Sequence, residues 1–173
     1  MRIENRGTGL PIPRRSYTCG LRYKLIPAHA PRCNVYRHAI GQLPLGELDV
    51  ITNPKKAPGP DHPIAIEPSP LHVVVSVAGR VIADTRNALA LRESSYPVVL
   101  YVPRKDADIT LLQRSQFSTY CPYKGDCSYF HIPLGGERSI NAVWSYEAPF
   151  PAVVQIKDYL AFYPDRVDSI TAS

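Results

Sequence analysis

Between residues 61 and 168 the apolar segments are short, and prolines and glycines separate them before any could extend into a long helix. Ten of the eighteen prolines lie in this stretch, and proline disrupts both helices and interior strands. The segments are rich in β-branched residues, as in residues 72–77, a composition that favours strands. Short strands separated by turns predict a sandwich, a barrel or a bent two-sheet fold.

The pattern predicts roughly seven or eight short antiparallel strands and one or two short helices. Ala78-Gly79 indicates a two-residue hairpin between strands over 72–77 and 80–84. A second hairpin is expected between 127–132 and 142–146, and 152–159 is the best helix candidate. Residues 88–91 fit a helical turn or a short strand equally well.

Residues 1–60 differ from the rest in charge and in proline placement. They hold ten Lys/Arg and three Asp/Glu, a net charge of +7, whereas residues 61–173 hold ten Lys/Arg and twelve Asp/Glu, a net charge of −2. Eight prolines and no hydrophobic period predict an irregular or disordered basic extension over 1–60, with a linker at 53–61. A compact domain is expected over 61–168 and a C-terminal tail over 169–173.

The composition also limits the partners and the cellular setting. No apolar run approaches the ~18 residues of a membrane span, and the N-terminus lacks a secretory pattern, so we expect a soluble, cytoplasmic protein without a membrane partner. The acidic domain is not expected to bind nucleic acid, although the basic extension could contact an anionic surface. The cysteines (Cys19, Cys33, Cys121 and Cys127) are expected to be reduced thiols. The sequence does not specify the oligomeric state and predicts no cofactor.

A distinctive series of short motifs runs along residues 61–168. In chain order it comprises His62-Pro-Ile, Val77-Ala-Gly-Arg-Val-Ile-Ala-Asp-Thr-Arg86, Leu91-Arg-Glu93, Tyr96-Pro97, Tyr101-Val-Pro103, Thr119-Tyr-Cys-Pro-Tyr-Lys-Gly125, Tyr129, Trp144-Ser-Tyr146, Pro149 and Leu160-Ala-Phe-Tyr163. This series resembles the domain of unknown function 427 family. The turn at 121–125 and the Trp-x-Tyr strand are the most specific marks.

The resemblance implies a β-tent fold, similar in topology to methionine sulfoxide reductase B, without implying that enzyme's activity. The family sometimes carries a nucleotidyltransferase-like label, which implies carboxylates that hold Mg²⁺ near a nucleotide. Asp106 and Asp108 are the one close pair in the domain, and no Gly-Ser turn precedes them. The residues therefore give that chemistry little support.

The turn Cys121-Pro-Tyr-Lys-Gly125 is the most unusual local feature. Pro122 fixes one backbone angle and Gly125 permits a tight bend, so the turn could present Lys124 to a phosphate or carboxylate. It could equally be an ordinary β-turn with a solvated lysine. Cys121 is a candidate nucleophile if Lys124 lowers its pKa, although a buried structural thiol is commoner.

Aromatic residues supply a second set of candidates. Trp144 and Tyr146 are two apart on a predicted strand and so share a face, where they could either pack in the core or form an aromatic wall for a ligand. Tyrosines at 96, 123, 129 and 163 could add hydroxyl groups.

Charged side chains near the strand ends complete the set. Arg86 and Glu93 could form a structural salt bridge, or Arg86 could bind an anion. A metal site at Cys121, Cys127 and His131 is not expected, because the spacing is wrong for structural zinc and a fourth ligand is lacking.

We therefore expect a pocket for a small anionic or nucleotide-like metabolite. Its predicted ligand-binding residues are Arg86, Glu93, Tyr96, Tyr123, Lys124, Trp144 and Tyr146. Arg86, Glu93, Lys124 and Tyr146 are expected to converge on one concavity. Two alternatives remain open: a protein-binding or scaffold module without catalysis, and a thiol-dependent enzyme centred on Cys121.

Overall fold

A computed structural model describes residues 53–173, and these residues form two antiparallel β-sheets. Expectations for residues 1–52 lie outside the described residues. Between 53 and 173 the strands are β1 Ile64–Pro68, β2 Val73–Val77, β3 Arg80–Thr85, β4 Leu89–Glu93, β5 Val99–Pro103, β6 Gln113–Cys121, β7 Gly125–His131, β8 Val143–Ser145, β9 Tyr159–Phe162 and β10 Ser169–Ala172. The mostly β fold class is confirmed.

The helical segments of the described part are all 3₁₀ turns. They are Arg104–Asp106, Ile109–Leu111, Pro133–Ser139, Pro151–Ile156 and Pro164–Arg166. The helix expected over 152–159 is present but shorter: Pro151–Ile156 is a 3₁₀ turn interrupted at Val153, and β9 begins at Tyr159. β-Branched residues favour extended backbone, and this segment contains three of them. None of the helices in this region is long and apolar enough to cross a membrane.

The larger sheet has seven strands in the order β1-β4-β5-β9-β8-β7-β6, and the smaller has the order β10-β2-β3. The expected hairpin at Ala78-Gly79 joins β2 to β3, with Val77 opposite Arg80. Both turn residues have positive φ (50° and 72°), the geometry that two-residue hairpin turns require.

Residues 169–173 are not the tail that the sequence suggested. Ser169–Ala172 pairs with Val73–Ser76 as an edge strand of the smaller sheet. This strand is only four residues long and its polar residues obscure the alternating pattern, so its pairing rests on tertiary context.

The segment predicted as a linker lies along the β6–β7 hairpin. The Lys56 amide donates to the Pro122 carbonyl at 2.8 Å, and the Tyr120 hydroxyl donates to the Pro54 carbonyl at 3.0 Å. Proline-rich composition indicated a linker but carries no information on such main-chain contacts.

The larger sheet is buried on both faces. Alternate residues of its central strands enter two clusters: Val102, Val143 and Leu160 pack with β2 and β3 of the smaller sheet, whereas the neighbouring residues Tyr101 and Trp144 pack inside the curl of the larger sheet. This alternation follows from the two-residue period of a strand.

Candidate functional site

A cavity of about 460 Å³ opens where β5 and β9 separate. The ladder between these strands covers two residue pairs, Val102–Leu160 and Pro103–Tyr159. The first half of β5 pairs with β4 instead, and the second half of β9 pairs with β8. We call this gap in the larger sheet the seam.

The lining of the cavity is mostly apolar and draws on both sheets. It comprises Val73, Val75, Leu91, Glu93, Tyr96, Pro97, Val98, Val99, Leu100, Tyr101, Val102, Lys124, Trp144, Phe162, Tyr163, Pro164, Ile170 and Ala172. Glu93 and Lys124 are the charged members of this set. A concave apolar site with few polar groups is typical of small-molecule pockets.

Glu93 and Lys124 form an ion pair at the cavity wall. Glu93 ends β4, whereas Lys124 occupies the turn between β6 and β7, and three strands of the sheet lie between β4 and β7. The two side chains can meet only because the larger sheet curls. Lys124 is 1% exposed and Glu93 is 6% exposed, so each depends on the other for charge compensation.

The β6–β7 turn holds Lys124 in place through its backbone. The Lys124 amide donates to the Cys121 carbonyl at 3.2 Å, and the Lys124 carbonyl accepts from the Phe150 amide at 3.0 Å. Gly125 has a φ of 100°, which residues with a Cβ rarely adopt. The Lys124 Nζ also lies 5.9 Å from the centre of the Tyr146 ring, within cation–π distance.

His62 contacts the other oxygen of the Glu93 carboxylate. Its Nε2 lies 3.0 Å from Glu93 Oε1, whereas Lys124 contacts Oε2. The β1–β4 register explains this contact, because Ile64 pairs with Glu93 and His62 precedes β1 by two residues. The imidazole stacks on Tyr123 with ring centres 3.9 Å apart.

Aromatic rings form the wall of the cavity beside the seam. Trp144 Nε1 donates to the Tyr101 hydroxyl at 3.3 Å, and the Trp144 and Tyr163 rings lie 4.4 Å apart. These contacts fix the indole in the core, so Trp144 both packs in the core and lines the cavity. Tyr96 lies at the rim and is 39% exposed.

The structure brings together most of the side chains singled out in the sequence. Glu93, Tyr96, Lys124 and Trp144 line the cavity. Tyr146 is fully buried and contacts Lys124, and Tyr123 stacks behind His62. These positions are observed, whereas binding of a ligand there stays a prediction.

Arg86 does not share this cavity, so the expected convergence is wrong for that residue. It follows β3 in the smaller sheet, is exposed and is absent from the lining. Glu93 pairs with Lys124 and His62 instead of Arg86. Seven residues separate Arg86 from Glu93 in sequence, but the chain changes sheets between them, which spacing alone does not reveal.

Two residues of the site, His62 and Tyr101, were overlooked as site residues in the sequence. Tyr163 was among the tyrosines expected to add hydroxyl groups, and it lines the cavity. His62 belongs to the His-Pro motif, and the hydrogen-bonding capacity of its imidazole was the available signal. Tyr101 and Tyr163 meet Trp144 only through the packing of β5, β8 and β9.

The two described cysteines, Cys121 and Cys127, are buried, and neither lines the cavity. Burial raises the pKa of the Cys127 thiol to about 12, so this group is protonated at neutral pH. Within residues 53–173, no group of three or more His, Cys, Asp or Glu side chains could hold a metal ion.

The fold and the cavity of residues 53–173 define a small, mostly β domain with a largely apolar cavity and the buried Glu93–Lys124 ion pair at its wall. The sequence matches the family described as Domain of unknown function (DUF427) over residues 65–173, so the chain belongs to that family. A search of curated proteins found no match.

Proposed function

We propose that this domain binds a compact, largely apolar small molecule whose hydrogen-bond acceptor contacts Lys124. The proposal rests on the surroundings of the Lys124 ammonium. It is buried, it lines the cavity, and Glu93 is its hydrogen-bond partner in the described part of the chain. An ammonium has three donors, so a ligand acceptor would satisfy donors that burial has removed from water.

The charge of the lining favours an uncharged acceptor, such as a carbonyl or hydroxyl group. Lys124 is already neutralised by Glu93, and the second expected cation, Arg86, lies outside the cavity. A phosphate or carboxylate placed on Lys124 would stand beside the Glu93 carboxylate and be repelled. Of the ligands expected from the sequence, those without a phosphate or carboxylate at Lys124 are therefore favoured over anionic or nucleotide-like metabolites.

The composition of the lining favours a flat, apolar ligand. Tyr101, Trp144 and Tyr163 contribute aromatic rings to the lining, and residues of β2 and β10 contribute aliphatic side chains. Aromatic rings stack on flat groups with a modest gain beyond burial. The volume of about 460 Å³ also lies within the usual range of small-molecule pockets.

The alternatives have less support from the geometry. A thiol enzyme centred on Cys121 requires a thiol that a substrate can reach, and Cys121 is buried and does not line the cavity. A scaffold module requires a continuous apolar surface, whereas the exposed apolar side chains, such as Val81, Val98 and Val154, are distributed over β3, the β4–β5 loop and a 3₁₀ turn.

The proposal is tested with a pair of probes that differ in charge. 2-Naphthamide offers a neutral carbonyl on a flat apolar body, and 2-naphthoate offers the same body with a carboxylate. We expect the amide to raise the melting temperature of the full chain more than the acid does, because a ligand bound only by the folded state stabilises it.

Two variants show whether the cavity is responsible. The double variant Glu93→Gln/Lys124→Met should lose the response to the amide, whereas the control Arg86→Ala should retain it. Absence of stabilisation by 2-naphthamide, or an equal response in the double variant, would contradict the proposal.

A further inference from the structure

We infer that Lys124 forms a Schiff base with an aldehyde or ketone bound in the cavity. This inference deepens the proposed function and rests on it, because the carbonyl that accepts a hydrogen bond from Lys124 is also the group with which an amine condenses. A lysine within an apolar pocket is a known nucleophile for carbonyl compounds. Lys124 combines that setting with a neighbouring acid–base group, Glu93.

Three side chains, each in contact with the next, lead from the cavity towards solvent. Lys124 lines the cavity, Glu93 contacts it through Oε2, and His62 contacts Glu93 through Oε1 at 3.0 Å. The exposed fraction of the side chain rises along the line, from 2% for Lys124 and 8% for Glu93 to 21% for His62. His62 is therefore a positioning residue that holds the carboxylate and links it to the surface.

The proposed step balances in atoms and charge. Glu93 accepts one proton from the Lys124 ammonium, and the free amine attacks the carbonyl carbon, so that a carbon–nitrogen bond forms and the carbonyl π bond breaks. Glu93 returns its proton to the carbonyl oxygen, and a second ammonium proton follows to that oxygen. The oxygen leaves as water, and a protonated imine remains. No oxidant or reductant is consumed.

The charge balance explains why this site suits the reaction. The protonated imine carries the same positive charge as the ammonium that it replaces, at the same position beside Glu93. Neither reactant nor product therefore leaves an unpaired charge in the buried site, which would be costly. The apolar lining also limits the access of water to the imine.

Lys124 differs from the other lysines of the described segment. Lys55, Lys56, Lys105 and Lys157 are exposed, and none lines the cavity. These exposed ammonium groups have no bound carbonyl held next to them, whereas the cavity would hold the carbonyl against Lys124. Selective reaction at Lys124 is thus the signature of the proposed site.

The experiment is reductive trapping on the full chain. The protein is incubated with 2-naphthaldehyde and sodium cyanoborohydride, which converts an imine into a stable secondary amine, and the labelled lysines are mapped by peptide mass spectrometry. We expect Lys124 to be labelled several-fold faster than any of the four exposed lysines. An excess of 2-naphthamide, which fits the same cavity but forms no imine, should suppress the labelling of Lys124 alone.

The matched variants are Lys124→Arg, which keeps a cation opposite Glu93 without a reactive amine, and His62→Gln, whose amide can keep a hydrogen bond to Glu93 but cannot carry a proton. We expect the selective label to vanish in Lys124→Arg, and the pH profile of Lys124 labelling to change in His62→Gln. The competition with 2-naphthamide uses the unaltered protein, so the inference stays testable even if a variant fails to fold.

The outcomes separate the inference from the proposed function. If 2-naphthamide stabilises the protein but Lys124 is labelled no faster than the exposed lysines, the Schiff-base inference is overturned and the binding proposal stands. If Lys124 is labelled but the amide does not suppress it, the reaction occurs outside the cavity and the inference is again overturned. If the amide does not bind and Lys124 is not labelled, both fail.

Discussion

Removal of one partner of the Glu93–Lys124 pair should cost far more stability than removal of both. In Lys124→Met the ammonium disappears, and the Glu93 carboxylate stays buried beneath the same apolar side chains. In Glu93→Gln/Lys124→Met both charges of the pair are removed, and the glutamine can still form a hydrogen bond with His62. The comparison isolates the cost of an unpaired buried charge.

The magnitude follows from the environment of the pair. Removing one partner of a buried ion pair typically costs about 3–5 kcal/mol, whereas replacing both with uncharged residues is often close to neutral. His62 lies 3.0 Å from Glu93 and compensates part of the lost interaction, so we expect about 3 kcal/mol for Lys124→Met. The double variant should lie within about 1 kcal/mol of the natural sequence.

Urea unfolding followed by the fluorescence of Trp144 measures both values, since Trp144 is the single tryptophan of the chain. A loss of about 3 kcal/mol corresponds to a melting temperature lower by about 10 °C or more for a domain of this size. Lys105→Met is the control, because Lys105 is exposed. The reasoning would be refuted by a double variant as unstable as Lys124→Met, or by a Lys124→Met variant as stable as the natural sequence.

Three further predictions concern other parts of the domain. Trp144→Ala should lower the free energy of unfolding by about 3–5 kcal/mol in urea titrations followed by circular dichroism, because it leaves a large cavity, and a loss below about 1 kcal/mol would show that the indole is dispensable. The Cys127 thiol, whose pKa burial raises to about 12, should resist iodoacetamide at pH 8 until the protein is unfolded, as judged by mass spectrometry of its peptide; rapid labelling of the native protein would contradict this. Hydrogen bonds from Arg114 lower the pKa of Glu147 from 4.5 to about 2. The stability that this carboxylate contributes is therefore present above pH 4.5 and is lost as the pH falls towards 2. In Glu147→Gln the free energy of unfolding, measured by urea titration at several pH values, should depend less on pH in that window, and an unchanged dependence would disprove the assignment.

The fold class could be predicted from the sequence because short β-branched segments between prolines and glycines leave few other solutions. The hairpin at Ala78-Gly79 is an example, since local turn chemistry specifies it. By contrast, β10 and the packing of residues 53–60 depend on contacts with distant strands. The intrinsic preference of a residue for strand or turn does not indicate such contacts.

The site was predicted only in part, for a related reason. Lys124 and Glu93 were recognisable because charged residues at irregular points of a small β domain need a partner. That each is the other's partner depends on the curl of the larger sheet, and the exclusion of Arg86 depends on the crossing from one sheet to the other. Sequence spacing does not encode either feature.

The lining of the cavity extends along the chain from Val73 to Ala172. No early portion of the chain can therefore assemble the binding site, because the wall formed by β10 comes last in the sequence. Contacts between residues so far apart slow folding, since a long loop must close before they form. A ligand of this cavity would consequently distinguish the completed fold from every partly folded form, and its binding could serve as a direct measure of the native population during refolding.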